Sequence, residues 1–338
     1  MKNLIMGNEA VACGALRAGM TFFAAYPITP ASEIMHVLAE QSREIVFIHA
    51  EDEIASIHMA IGGSLAGRKA MTSTSGPGFS LKQEGIGLAF MMEVPLVVVD
   101  VQRVGPSTGM PTLPAQGDLL QAAHGSHGDY QALVFYPSSV AECYRYTIEA
   151  FNAAEEARTP VILLLDGFLG HLSETVDLDA VTVPQRPREL PPLGKGRRHF
   201  TGLLARDGAP RTKDSAYYRE WYARVKDKVR TAAANYRFGE FTRNERADTL
   251  VIAFGITYRV VLPLRNEYSL FKPVRLFPVL EEELRAAAEG HRRVVVVEMN
   301  DGQYRGEVEK VLDREVLGIS CLGGKIGLSE IRERLGEL

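Results

Sequence analysis

Three stretches near the start of the chain place acids, hydroxyls and tight-turn residues directly after short apolar runs. They are YPITPASE (26–33), the EDE at 51–53 that opens EIASIHMAIGGS, and TSTSGPG (72–78). Thr29 and Pro30 have the form of a helix N-cap followed by a first-turn proline. Local sequence favours simple capping at Thr29, yet Thr29 and Ser32, beside the free N–H groups of a helix start, would also suit a carboxylate ligand. Glu51, Asp52 and Glu53 stand where a first helical turn favours acids. One of them turned inward would instead hold a protonated ring nitrogen of a heterocycle. In Ser75-Gly76-Pro77-Gly78 the glycines allow positive φ and close backbone approach to a ligand, or only a tight turn. The spacing is not that of a phosphate-binding P-loop.

Arg103 ends an apolar run and precedes VGPSTGMPTLPAQGD, a connection of a length that tends to carry function. A guanidinium there offers a two-pronged contact to a carboxylate, or an ordinary surface ion pair. His124 and His127 lie three apart with Asp129 nearby, but the segment is broken by glycine and no further ligand is adjacent, so no metal is assigned. His58, among small and apolar residues, reads as a satisfied core histidine.

The elements that must position these residues are legible as alternating patterns. Apolar runs at 21–27, 44–50, 69–75, 95–103, 131–137 and 159–167 are near-continuous, as in strands covered on both faces, and helical patterns separate them. That alternation predicts an α/β fold with a doubly wound parallel sheet, whose crevice opens at the carboxyl ends of its strands. Ser139, three residues before Glu142, marks the start of a long helix. VPQRPRELPPLGKGRR is too rich in proline to be a core element. The charged stretch from Thr212 to Phe238 then reads as a helix bearing Trp221, to pack across its own domain or to meet a partner. From Ala247 a second α/β unit is expected, with strands at 249–255, 274–279, 292–300 and 316–324 and helices near 257–266, 281–289 and 303–312. The expected divisions are 1–182, a connector at 183–246, and 247–338.

Composition narrows the classes. The chain has 338 residues, a net charge of −4 and no uncharged apolar run near the ~20 residues of a membrane span. Neither nucleic acid nor a membrane is an expected partner. Its 3 cysteines are far apart, which argues against a disulfide framework or a metal cluster and for a cytoplasmic setting. The first twenty residues are broken by Asn8, Glu9 and Arg17 too early for a signal peptide.

Taken together and in this order, GNEAVACGALRAG, YPITPASE, EDEIASI, TSTSGPGFSLKQE, VQRVGPSTGMPT, AQGDLLQA, HGDY and TPVILLLDG resemble the alpha subunit of 2-oxoacid:ferredoxin oxidoreductases. The resemblance covers nearly the whole chain, including RRHFTGLLARDGAPRT and VVVVEMNDGQ. It implies a thiamine-diphosphate pyrimidine-binding domain followed by a smaller α/β domain like the transketolase C-terminal domain. It also implies oxidative decarboxylation of a 2-oxoacid with CoA to acyl-CoA, CO2 and reduced ferredoxin, or the reverse. By motif, Glu53 matches the glutamate that contacts the pyrimidine N1′ and so promotes loss of the thiazolium C2 proton. Thr29 and Arg103 match the contacts to the substrate carboxylate, with Ser32 beside them. Pro27, Ser75 and Gly76 are expected on the cofactor side.

An absent motif is as informative. The G-D-G segment with a following Asn that holds a diphosphate through a metal is missing, since GDL (117–119) and GDY (128–130) lack the second glycine and LDG (165–167) has no suitably spaced Asn. The resemblance therefore places Mg2+ and the diphosphate on a beta subunit, iron–sulfur clusters on partner chains, and gamma and/or delta subunits on separate polypeptides. EDEIASI, SGPGFSL and QRVGPSTGMPT favour 2-oxoglutarate as substrate. HGDY and DGFLGHL lean to a branched-chain acid, 2-oxoisovalerate, and QRVG and HGDY depart from the usual QRGG and HGDH. A non-catalytic paralogue is the reading from another class. A dinucleotide-dependent dehydrogenase lacks its G-x-G-x-x-G.

Overall fold

Six of the apolar runs become parallel strands of one sheet. The computed structural model describes residues 2–195 and 201–338, so the RRHF at 197–200 of one quoted motif lies outside the described residues. The strands stand in the spatial order Val46–His49, Phe22–Ala25, Ala70–Thr74, Leu96–Val104, Pro160–Asp166 and Leu133–Phe135. All five neighbouring pairs among them are parallel. The chain steps outward from Phe22–Ala25 to Val46–His49, then crosses back to Ala70–Thr74 and continues the other way. This reversal opens a crevice at the carboxyl ends of the two central strands, where the loops after them diverge. Side chains alternate between two apolar layers, one on each face of the sheet.

The long glycine- and proline-rich connection after Arg103 is partly ordered as a strand. Met110–Pro114 folds back antiparallel on Leu96–Val104 and seats Arg103 opposite Pro114. A ribbon of Lys2–Met6 with Ser173–Asp177 lies apart from the main sheet. The helix Val140–Ala157 is capped as its sequence predicts, with Ser139 Oγ accepting from Glu142 N at 3.2 Å. The charged helix spans Ser215–Asn235 and packs on Val140–Ala157, with Trp221, Val225 and Val229 buried on that face. Trp221 thus packs into the chain's own core.

A second sheet takes Gly239–Thr242, Ser269–Pro273, Thr249–Ala253, Arg293–Glu298 and Leu317–Ser320 in that spatial order. Only the pairing of the first two is antiparallel. The run at 274–279, expected as a strand of the second unit, does not join this sheet. Arg275–Phe277 instead pairs antiparallel with Leu133–Phe135 at the edge of the first sheet. The reason is covalent: Ser269–Pro273 already occupies the second sheet, and the chain leaves Pro273 directly toward the open edge of the first. No helix among the described residues is long and apolar enough to cross a membrane.

Candidate functional site

Glu53 resolves the ambiguity of the three acids. Asp52 is the N-cap of the helix Glu53–Leu65 and accepts from Ala55 N at 2.6 Å, while Glu51 and Asp52 stay exposed. Glu53 begins the helix and turns inward, with only 6% of its surface exposed. It lies against the start of the next helix, Gly76–Met91. A Cβ on Gly78 would collide with both Glu53 Oε1 and Thr74 Oγ1, so glycine there makes room for the carboxylate. Thr74 Oγ1 and Ser75 Oγ are buried beside it and have no hydrogen-bond partner among the described residues. Buried hydroxyls left in that state mark a place where a ligand can supply the missing bond.

Thr29 is not a helix cap. The helix begins at Ser32 with Ala31 as its N-cap, and no side chain caps it. A turn closed by Ala31 N to Ile28 O at 2.9 Å precedes it, and buried Asn8 fixes this turn from beneath. Asn8 Nδ2 donates to Pro30 O and to Glu33 Oε2, both at 2.8 Å. Held this way, Thr29 presents its carbonyl to Arg103, whose Nη1 donates to it at 2.8 Å. Gly76, at φ +38°, runs past the Arg103 side chain, and a Cβ there would lie 3.8 Å from Arg103 Cγ. Thr29, Glu53, Ser75, Gly76 and Arg103 therefore share one edge of the sheet. Pro27 is exposed and Ser32 half-buried, and among the described residues neither hydrogen-bonds to Arg103 or Glu53.

Behind Arg103 stands a pair of acids that the sequence does not announce. Asp100, fully buried inside an apolar strand, stands close enough to Asp118, the N-cap residue of the helix Leu119–His124, for the two carboxyls to act on each other. Burial drives the Asp100 carboxyl well above its ordinary range, and the neighbouring Asp118 drives it further. Burial also pushes Asp118 up to about 6, against the pull of Asp100 and of Arg103. Two neighbouring buried carboxyls with one guanidinium near them favour keeping a proton on the pair. Burial lowers the Arg103 pKa, and the charges of Asp100, Asp118 and Glu53 offset only part of that fall.

The second unit closes the far side. Gln116 N donates to Met299 O at 3.1 Å, Met299 N donates back to Gln116 Oε1 at 3.0 Å, and Asn300 Nδ2 donates to Gln116 O at 2.7 Å. Gln303 Nε2 donates to Gly117 O at 2.5 Å. Between these walls lies a cavity of about 780 Å³ lined by Gly76, Arg103, Asp118, Asn300 and Gln303 among others. That is the size of a small-molecule or cofactor site. His124 and His127 are not brought together: His124 packs edge-on to Phe277, and His127 lines a separate hollow with Tyr130 and Trp221.

Residues 13–239 match the family model described as pyruvate flavodoxin/ferredoxin oxidoreductase, thiamine diphosphate-binding. The chain is 43% identical to the 2-oxoglutarate synthase subunit KorA of Archaeoglobus fulgidus, over 96% of this chain and 95% of that one. It is 36% identical to the ketoisovalerate oxidoreductase subunit VorB of Methanothermobacter thermautotrophicus, over 99% and 97%. Among solved structures it superposes on a 2-oxoglutarate:ferredoxin oxidoreductase of Magnetococcus marinus, with 2-oxoglutarate, coenzyme A and succinyl-CoA bound. The TM-score is 0.91 at 32% identity, covering 99% of this chain and 65% of that one. The chain thus spans about two-thirds of the length of that solved relative.

Proposed function

Because the chain belongs to the pyruvate flavodoxin/ferredoxin oxidoreductase thiamine-diphosphate-binding family, we propose that it is the alpha subunit of a 2-oxoglutarate:ferredoxin oxidoreductase. The observation that carries the proposal is the shared sheet edge: Arg103, which lines the cavity, donates to Thr29 O, and buried Glu53 packs against Gly78 at the start of the helix whose Gly76 lines the same cavity. The residues present fit an aminopyrimidine. A buried carboxylate, two buried hydroxyls with no partner among the described residues and a glycine whose Cβ would fill the space lie together at this edge. Thiamine diphosphate, when bound, supplies the carbanion chemistry that a 2-oxoacid needs to lose CO2.

This chain's own residues do the rest of the work assigned to it here. Glu53 would accept a hydrogen bond from the pyrimidine N1′ and hold a proton there. Arg103 would grip a substrate carboxylate with the donors that Thr29 O leaves free, and Ser32 would lie at the rim. Ser75, Gly76 and Pro27 would flank the cofactor. Asn300 and Gln303, from the second unit, would close the cavity to water. The diphosphate, Mg2+, iron–sulfur clusters and ferredoxin contact are assigned to a beta subunit and to gamma or delta chains, in a cytoplasmic complex. Support for 2-oxoglutarate over a branched-chain acid is the higher identity to KorA than to VorB, both matched over nearly full length.

The test is viologen reduction by the co-expressed, anaerobically purified complex, with CoA, thiamine diphosphate and a panel of 2-oxoacids. Reduction with 2-oxoglutarate is the expected result. Reduction confined to 2-oxoisovalerate moves the substrate to the branched-chain class. Silence with every acid, from a complex with filled clusters, leaves a non-catalytic paralogue as the reading.

A further inference from the structure

Lys82, in the helix Gly76–Met91, is the one lysine among the described residues with no exposed surface. Burying an ammonium is costly unless a counter-ion meets it. Lys272, nearly as buried, meets two carboxylates, Glu142 at 2.6 Å and Glu240 at 2.8 Å. Lys82 meets none among the described residues. Its Nζ donates to Thr72 Oγ1 at 3.0 Å, to Glu53 O at 3.3 Å and to Ser56 Oγ. Ser56 Oγ in turn donates to Glu53 O at 3.0 Å. Thr72 belongs to the strand Ala70–Thr74, whereas Glu53 and Ser56 form the first turn of the next helix over. One amine therefore ties three elements together directly behind the carboxylate of the crevice. A cation at that spot also faces the positive end of the Glu53–Leu65 helix, so packing alone does not account for a lysine there.

We propose that Lys82 is a positioning residue for Glu53: its buried amine pins the first turn of the Glu53–Leu65 helix to the strand Ala70–Thr74 and so aims the carboxylate into the crevice. The assignment rests on the reading of Glu53 as the contact to the pyrimidine. Burial pushes the Lys82 amine down to about 7, with the charges of Glu53 and Asp52 pulling it back up. Those two acids, both on the facing helix, are the charged groups that act on it. A lysine whose pKa is lower folded than unfolded makes the chain more stable as pH climbs from about 7 toward the unfolded value. The charged amine costs stability below that window.

Two variants and two kinds of readout test this. Lys82→Met removes the amine, and Ser56→Ala removes one of its acceptors with little change of volume. In pH-dependent melting of the full chain, the parent gains stability between about pH 7 and 10, and Lys82→Met loses that gain. In the complex with the beta subunit, thiamine diphosphate affinity falls about tenfold for Lys82→Met and about threefold for Ser56→Ala, the size of a small misplacement of a binding group. The parent complex should show a pH–rate limb near 7, where the Lys82 amine titrates, and Lys82→Met should lack it. A variant that only melts earlier, with cofactor affinity and pH profile as in the parent, overturns the proposal. Should Lys82→Met fail to fold, Ser56→Ala decides by the same criterion. Glu53→Gln runs alongside. If that variant also behaves as the parent, the reading of Glu53 fails and Lys82 falls with it. If it is crippled while both other variants are silent, only the positioning role is lost.

Discussion

At the end of the helix Gly76–Met91, Glu93 meets two cations; in the crevice, Asp100 and Asp118 meet one. Glu93 accepts from Arg224 Nη1 at 3.0 Å and from Lys228 Nζ at 2.6 Å. Burial alone would raise its pKa, but Arg224 and Lys228 hold it down to about 2. Asp118 shares Arg103 with Asp100, and burial leaves it at about 6. The same chemical group thus ends on opposite sides of its ordinary value according to the local ratio of cations to acids. Where cations match or exceed the acids, the cluster fastens the helix Ser215–Asn235 to the connection between Gly76–Met91 and Leu96–Val104. Where they fall short, a proton stays behind and the arginine keeps donors for something else.

That contrast is broken or sharpened by substitution, starting with the largest effect. Glu53→Gln should lower turnover of the assembled complex by about 10²-fold or more, the usual scale for a lost acid–base group. Viologen reduction measures it, and a loss below threefold would remove Glu53 from the chemistry. Arg103→Ala should raise the KM for the 2-oxoacid by about 10- to 100-fold, from the loss of a charged hydrogen bond, with the KM for CoA little changed. Equal changes in both would show that Arg103 does not hold the substrate.

Asp118→Asn probes the proton kept beside that arginine. Its folded pKa lies above the unfolded value, so the parent loses stability as pH rises from about 4 through 6. The variant should lack that loss, which makes it more stable relative to the parent at pH 7 than at pH 4 in thermal melts. A constant offset across that range would mean that Asp118 does not titrate there. Glu93→Gln is the smallest case and the counterpart. Glu93's folded pKa is depressed, so its contribution is present above about 4.5 and vanishes as pH falls toward 2. Acid melts should show that component missing in the variant, with turnover unchanged. A drop in turnover would erase the division between scaffold and site.

Sequence patterns reach the strands and the crevice edge for a local reason. Six apolar runs with short breaks admit few arrangements other than a parallel sheet, and loops at its carboxyl edge must converge. The three acids at the head of an Ala- and Gly-rich helix read alike from local sequence, and only the motif resemblance singles out Glu53. Packing against Gly78 gives the physical reason that this acid is the one turned inward. Other features depend on what lies across the fold. Thr29–Pro30 has the composition of a cap, yet Asn8, distant in sequence, holds it in a turn instead. Lys82, in SLKQEG, has the pattern of a solvated helix face, because lysine is so seldom buried. Asp100 is hidden in an apolar run, and its partner Asp118 stands beyond the hairpin of Met110–Pro114. The edge strand Arg275–Phe277 is equally apolar in either sheet, and only its distant pairing decides.

That edge strand bears on how the chain could be divided. Arg275–Phe277 gives the first sheet a closing strand drawn from the far side of the second unit, and Tyr136 N donates to Val274 O at 2.7 Å just beyond it. A truncation at the apparent boundary near residue 246 would keep every residue of the crevice edge yet strip Leu133–Phe135 of its neighbour. The bared row of N–H and C=O groups would then invite pairing between molecules. The two units are thus stitched into one cooperative body, and a fragment carrying the first alone should precipitate rather than serve as a minimal enzyme.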